Sequence, residues 1–104
     1  MKRQKLIEVI KAGRFEWRKR TLQRLTERGI TRNTVTDALV NGKIIEDYPD
    51  DKPYPSALFL GWVGGKPLHI VVALDEKHHW AYIITTYEPN LKYFEADFKT
   101  RRKR

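Results

Sequence analysis

Cysteine is absent from the 104 residues. Its absence excludes thiol nucleophiles, disulfide staples and cysteine-ligated zinc, and it suits a reducing compartment. No apolar run approaches the ~20 residues of a membrane span. The first apolar stretch is broken by Glu8 and Lys11, so neither a signal peptide nor an anchor is expected, and a cytoplasmic setting is. Repeats and low-complexity segments are missing apart from the basic end. Gly64-Gly65 is not followed by a glycine-rich strand-to-helix pattern, which argues against a phosphate loop. Asp50-Asp51 lacks the further carboxylates of a two-metal site, and His78-His79 have no partner at ligand spacing. No metal or cofactor is therefore expected.

What is present is one domain's length of chain with 40% hydrophobic residues, enough for a single core. A domain of this size buries roughly two-thirds of its unfolded surface and needs no covalent staple. The net charge is +8, and it is segregated. Residues 1–42 hold 11 Lys/Arg against 4 Asp/Glu, residues 43–98 hold 5 against 9, and residues 99–104 hold 5 against none. Positive charge thus sits at both ends of the chain around an acidic middle. If the ends meet in the fold they form one basic face, the footprint expected for a phosphate backbone. The plainer reading is a soluble basic protein; RNA is the expected partner.

Leu6, Ile7, Val9 and Ile10 have helical spacing, with Gly13 as a stop. A second helix is expected over 17–28, with Gly29 at its C′ position, and a third over 32–41, with Thr31 as N-cap and Val35, Leu39 and Val40 as its apolar stripe. From Lys43 the pattern turns β-branched. Strands are expected over 43–48, 57–63, 68–74 and 80–87, joined by a proline-rich loop, the Gly64-Gly65 hairpin turn and an acidic turn at Asp75. A short helix is expected over 91–98. Helices followed by an antiparallel meander predict an α+β fold, with N-terminal helices packed on a four-stranded antiparallel sheet. The domain is expected over 1–98, with 99–104 as a flexible basic tail.

In the second helix, Arg20, Arg24 and Arg28 fall at i, i+4 and i+8. Like charges four apart repel by about 0.2–0.5 kcal/mol, so the stripe suits an anionic partner, and the guanidinium fork suits bidentate contact with phosphate. The alternative is a solvated face with Glu16 and Glu27 as counterions. His69 lies inside an apolar strand, where a histidine is either packed and hydrogen-bonded or poised for acid–base work. The β-hairpin brings it beside Thr86 if Asp75 pairs with Trp80, or beside Tyr87 if the register differs by one. Trp62, Trp80 and Tyr82 are core residues, or stacking platforms for bases if they face outward.

Taken together, Arg20-Thr21-Leu22-Gln23-Arg24-Leu25, Arg28-Gly29-Ile30, Gly42-Lys43-Ile44-Ile45-Glu46-Asp47-Tyr48-Pro49, Pro67-Leu68-His69-Ile70-Val71 and Ile84-Thr85-Thr86-Tyr87-Glu88-Pro89 resemble the pattern of a bacterial and archaeal family of unknown function. The resemblance covers residues 14–102. It implies the fold of barnase-like and RelE-like ribonucleases, close to the RelE and MqsR type of toxin. A toxin of a toxin–antitoxin pair follows from it, one that cuts messenger RNA without a metal until a cognate acidic antitoxin covers it. In that mechanism a 2′-hydroxyl attacks the adjacent phosphate, which needs a base, an acid and cations on the phosphate. The resemblance assigns His69 and Tyr87 to acid–base chemistry, with Glu46 as a further base candidate. Arg24 and Arg28 serve the phosphate with Arg20 assisting, Thr85 orients it, and Arg101 and Arg102 hold the RNA backbone. The family's helix histidine is Arg20 here, which leaves open a non-catalytic nucleic-acid-binding module on the same fold.

Overall fold

The change from helical to strand periodicity near Gly42 is where the architecture changes. In the computed structural model, which describes residues 1–103, α1 spans Arg3–Lys11, α2 Lys19–Arg28 and α3 Arg32–Val40. The strands are β1 Phe15–Trp17, β2 Lys43–Tyr48, β3 Ser56–Val63, β4 Lys66–Asp75 and β5 Trp80–Tyr87. α1 buries Leu6, Ile7, Val9 and Ile10. α2 buries only Thr21 and Leu25 and stops at Gly29, whose φ of 68° is the left-handed turn that a Cβ would disfavour. α3 starts where the Thr31 hydroxyl accepts the Thr34 N–H at 3.1 Å, a cap worth about 1 kcal/mol.

Three helices pack on an open five-stranded sheet of order β1-β5-β4-β3-β2. The expected four-stranded antiparallel sheet is corrected by β1, which pairs parallel to β5 through Phe15, Glu16 and Trp17. Three residues are too few to establish a strand period, and Trp17, expected at the start of a helix, is a strand residue opposite Ile83. The helix expected over 91–98 is also absent. The Asn90 carbonyl accepts the N–H groups of Tyr93 and Phe94, and the Asp97 carboxylate accepts those of Lys99 and Thr100. Such local turns compete with helical hydrogen bonding.

One sheet face carries Ala57 and Phe59 of β3 and Leu68, Ile70, Val72 and Leu74 of β4, packed under Leu6, Ile10, Leu25, Val35 and Leu39 of the helices. α3 comes so close that a Cβ at Gly61 would stand 2.5 Å from the Ala38 carbonyl oxygen. The other face carries Leu58, Leu60, His69 and Val71, which the strand pairing sets side by side. Residues 90–103 fold back over this face, with Phe94 buried and an antiparallel bridge between Phe94 and Arg101.

The register between β4 and β5 carries an extra residue. Asp75 pairs with Trp80 and Val72 with Ile83, but Val71 pairs with Thr85, so Ile84 is a bulge. Straight pairing from Asp75 and Trp80 would put Thr86 beside His69; the bulge puts Tyr87 there instead. The Thr21 hydroxyl of α2 donates to the Ile84 carbonyl at 2.8 Å. A buried carbonyl left without its donor costs about 1–3 kcal/mol. Thr21→Val is therefore expected to lower stability by about that much in urea denaturation, with Thr21→Ser close to the native protein.

Candidate functional site

His69 is fully buried. A ring this deep must satisfy both nitrogens. Nε2 lies 2.6 Å from the Phe98 carbonyl oxygen and Nδ1 lies 3.2 Å from the Tyr87 hydroxyl. A carbonyl only accepts, so Nε2 carries the hydrogen. Burial is the main cause that lowers the His69 pKa. The Phe98 carbonyl and the Glu46 carboxylate pull it partly back, and the Arg101 charge adds to the lowering. The ring is thus neutral near pH 7, Nδ1 offers a lone pair, and the Tyr87 hydroxyl donates to it. Burial raises the Tyr87 pKa, opposed by Arg101 and aided by Glu46, so the phenol keeps its proton. Phe94 stands edge-on to the imidazole with ring centres 4.7 Å apart.

The segment above His69 is anchored at several points. The Arg101 guanidinium meets Glu46 through Nε at 2.6 Å and Nη2 at 3.0 Å, and lies 4.9 Å from the centre of the Phe94 ring. Tyr48 donates to the same carboxylate. The hydrogen bond from Arg101 is the main cause that lowers the Glu46 pKa, and Glu46 in turn raises that of Arg101. Arg102 donates to the Leu91 carbonyl at 2.5 Å and to Glu95 at 3.0 Å. Asp97 accepts from the Thr100 hydroxyl and from the N–H groups of Thr100 and Lys99, which holds its pKa down at about 2. Phe98 then adopts φ 59°, a left-handed conformation that costs a bulky residue about 1–3 kcal/mol. Its ring leans on Trp62, with centres 6.1 Å apart.

Two depressions meet at Tyr87 and Glu88. The larger, about 570 Å³, is lined by Arg28, Ile30, Val63, Lys66, Pro67 and Leu68 together with those two residues. The smaller, about 340 Å³, adds Asn90, Tyr93, Phe94 and Arg101. Tyr87 is half-buried between them, while Arg28, Lys66 and Glu88 are exposed.

Of the expected site residues, His69, Tyr87, Glu46 and Arg101 come together around Phe94, and Arg28 reaches Tyr87 from the helix side. Arg20 and Arg24 are exposed on α2 and line neither depression. Among the described residues, none of the three α2 arginines is in an ion pair. Thr85 follows the bulge and faces Val71, two residues before Tyr87, also outside the depressions. Arg101 is held against Glu46 of β2, and Arg102 meets Glu95 and the Leu91 carbonyl within the C-terminal segment itself. Arg104 of the basic end lies outside the described residues. Among the described residues, no three His, Asp or Glu side chains gather as a metal would require.

Lys66 and Glu88 were not expected at a site, and Phe94 and Phe98 were expected only as the apolar side, with Tyr93, of the short helix over 91–98. The aromatic spacing of Tyr93, Phe94 and Phe98 was the available signal, and it suggests a helix rather than a covering strap.

A sequence model of the family described as a domain of unknown function (DUF4258) matches residues 17–88. No curated protein and no solved structure matches the chain.

The buried histidine makes stability depend on pH with a definite sign. The unfolded chain protonates near 6.5 while folded His69 resists the proton, so stability falls as pH drops below 6.5. The Glu46 contribution belongs to a lower window, below 4.5. Between pH 7 and 5.5, urea denaturation should show a larger loss for the native protein than for His69→Gln. Equal losses would contradict the neutral buried ring.

Proposed function

The chain belongs to the DUF4258 family, and from that premise we propose that it is an RNA-binding, metal-independent endoribonuclease of RelE-like type, the toxin of a toxin–antitoxin pair. The observation that carries this reading is the Tyr87 hydroxyl, hydrogen-bonded to a neutral His69 Nδ1 in the wall of a groove that offers Arg28 and Lys66. Tyr87 is the group within reach of substrate, and His69 acts behind it.

In the cleavage step the 2′-oxygen bonds to phosphorus as the bond from phosphorus to the 5′-oxygen breaks. The 2′-hydroxyl proton passes to the Tyr87 oxygen while the Tyr87 proton passes to His69 Nδ1. The 5′-oxygen leaves with a proton from solvent, and the imidazolium later returns its own through Tyr87. The products are a 2′,3′-cyclic phosphate and a 5′-hydroxyl end. Arg28 and Lys66 neutralise charge developing on the phosphate, partly offset by Glu88, and Arg24 and Arg20 extend the cationic track along α2. With Arg101 and Arg102 engaged by Glu46 and Glu95, the cations that line the larger depression are Arg28 of α2 and Lys66 of β4. An acidic antitoxin would neutralise the same groove.

A non-catalytic RNA-binding module is the second reading. It is favoured by the capped Nε2 of His69, which no substrate reaches directly, and by Arg20 in the place of the family histidine.

Mixed-sequence single-stranded RNA incubated with the native protein in EDTA should be cut. Tyr87→Phe should slow cleavage by about 100-fold or more while leaving binding intact. Arg28→Ala should weaken binding and reduce its salt slope by about 0.7. RNA that binds but stays whole supports the second reading, and RNA that neither binds nor is cut contradicts both.

A further inference from the structure

The His69 ring has two neutral tautomers, and only one serves Tyr87. With hydrogen on Nε2, Nδ1 is free to take the phenolic proton. With hydrogen on Nδ1, the Tyr87 oxygen must accept instead, and proton transfer in that direction is blocked. We propose that the C-terminal segment is a positioning element: the Phe98 carbonyl selects the Nε2–H tautomer of His69, and the Glu46–Arg101 pair holds that carbonyl in place. This rests on the ribonuclease reading for its purpose but not for its geometry.

Three observations support it. The acceptor on Nε2 is a backbone carbonyl, which cannot donate, at 2.6 Å. The residue that bears it holds φ at 59°, a conformation a phenylalanine adopts only when its surroundings impose it. The surroundings that impose it are named: Asp97 turns the chain through Thr100 and Lys99, and Arg101 closes it by a two-point contact with Glu46. The segment lies beyond residues 17–88, the span matched by the family model, yet it completes the hydrogen bonding of a histidine within that span.

The same arrangement accommodates the ring after it gains a proton. Both N–H groups then have acceptors, the Phe98 carbonyl and the Tyr87 oxygen. The groups whose charge or hydrogen bonding bears on the ring are Tyr87 from β5, Glu46 with its partner Tyr48 from β2, and Arg101 from the C-terminal segment. The Glu46 carboxylate favours the imidazolium, and the Arg101 charge opposing it is held against Glu46.

Nitrogen-15 imidazole spectra of the full-length protein test this without RNA. The native protein should show His69 in a single Nε2–H tautomer that resists protonation below pH 6.5. Arg101→Ala and Glu46→Gln should each give a mixture of tautomers. In Arg101→Ala the protonation midpoint should also rise, since both the covering segment and an opposing charge are lost. The swapped pair Glu46→Arg with Arg101→Glu should restore the native tautomer. If RNA is cleaved, the acid limb of the rate profile should move to higher pH in Arg101→Ala. An Nδ1–H tautomer in the native protein overturns the proposal, as do two latch variants that keep the native tautomer. If the spectra behave as stated but RNA stays intact, the ribonuclease reading fails and the positioning geometry stands.

Discussion

Burying an imidazole costs several kcal/mol unless both nitrogens find partners, and that requirement organises the helix-free face of the sheet. His69 meets it with one partner from a neighbouring strand and one from a segment 29 residues further along the chain. The second partner exists only because residues 90–103 fold back, where Phe94 is buried and Arg101 meets Glu46 of β2. No buried side-chain nitrogen or oxygen among the described residues lacks a partner. The polar groups on this face are therefore a satisfied set, and the chemistry available to them passes through Tyr87, which is both bonded to His69 and open to the grooves.

The two faces of the sheet are coupled by the Ile84 bulge. One extra residue in β5 shifts its last turn of pleat, so that Tyr87 stands opposite His69 and Thr86 points into the helix-side core. The carbonyl displaced by the bulge is taken up by Thr21 of α2. The helix that carries the arginine stripe is thus pinned to the strand irregularity that creates the His69–Tyr87 contact. Arg28, at the C-terminal end of that helix, reaches the groove where Tyr87 lies.

The three N-terminal helices, the four longer strands and the α+β class were legible because each element has enough residues to display a period, whereas the helix expected over 91–98 does not form. β1 was not legible, since the three residues Phe15–Trp17 are too few for one alternation to be told from the start of a helix. His69 and Tyr87 were legible as candidates, but their pairing was not, because a bulge leaves no mark in the residue types around Ile84. The basic end read as a mobile tail, since a charge run has no apolar stripe. Its placement depends on the distant partner Glu46 of Arg101, and sequence spacing carries no record of such a pair. The arginine stripe was legible as a whole, but only Arg28 of the three lines the groove.

The central claim is that a polyanion lies in the groove at Tyr87, between the end of α2 and the start of β4. An uncleavable 2′-O-methyl oligonucleotide titrated into nitrogen-15-labelled protein tests it most directly. Amide shifts should cluster at Arg28, Ile30, Lys66, Tyr87 and Glu88, the residues that line the groove. Shifts confined to the opposite end of the sheet, around Arg14 and His78, or no shifts at all, would contradict the account.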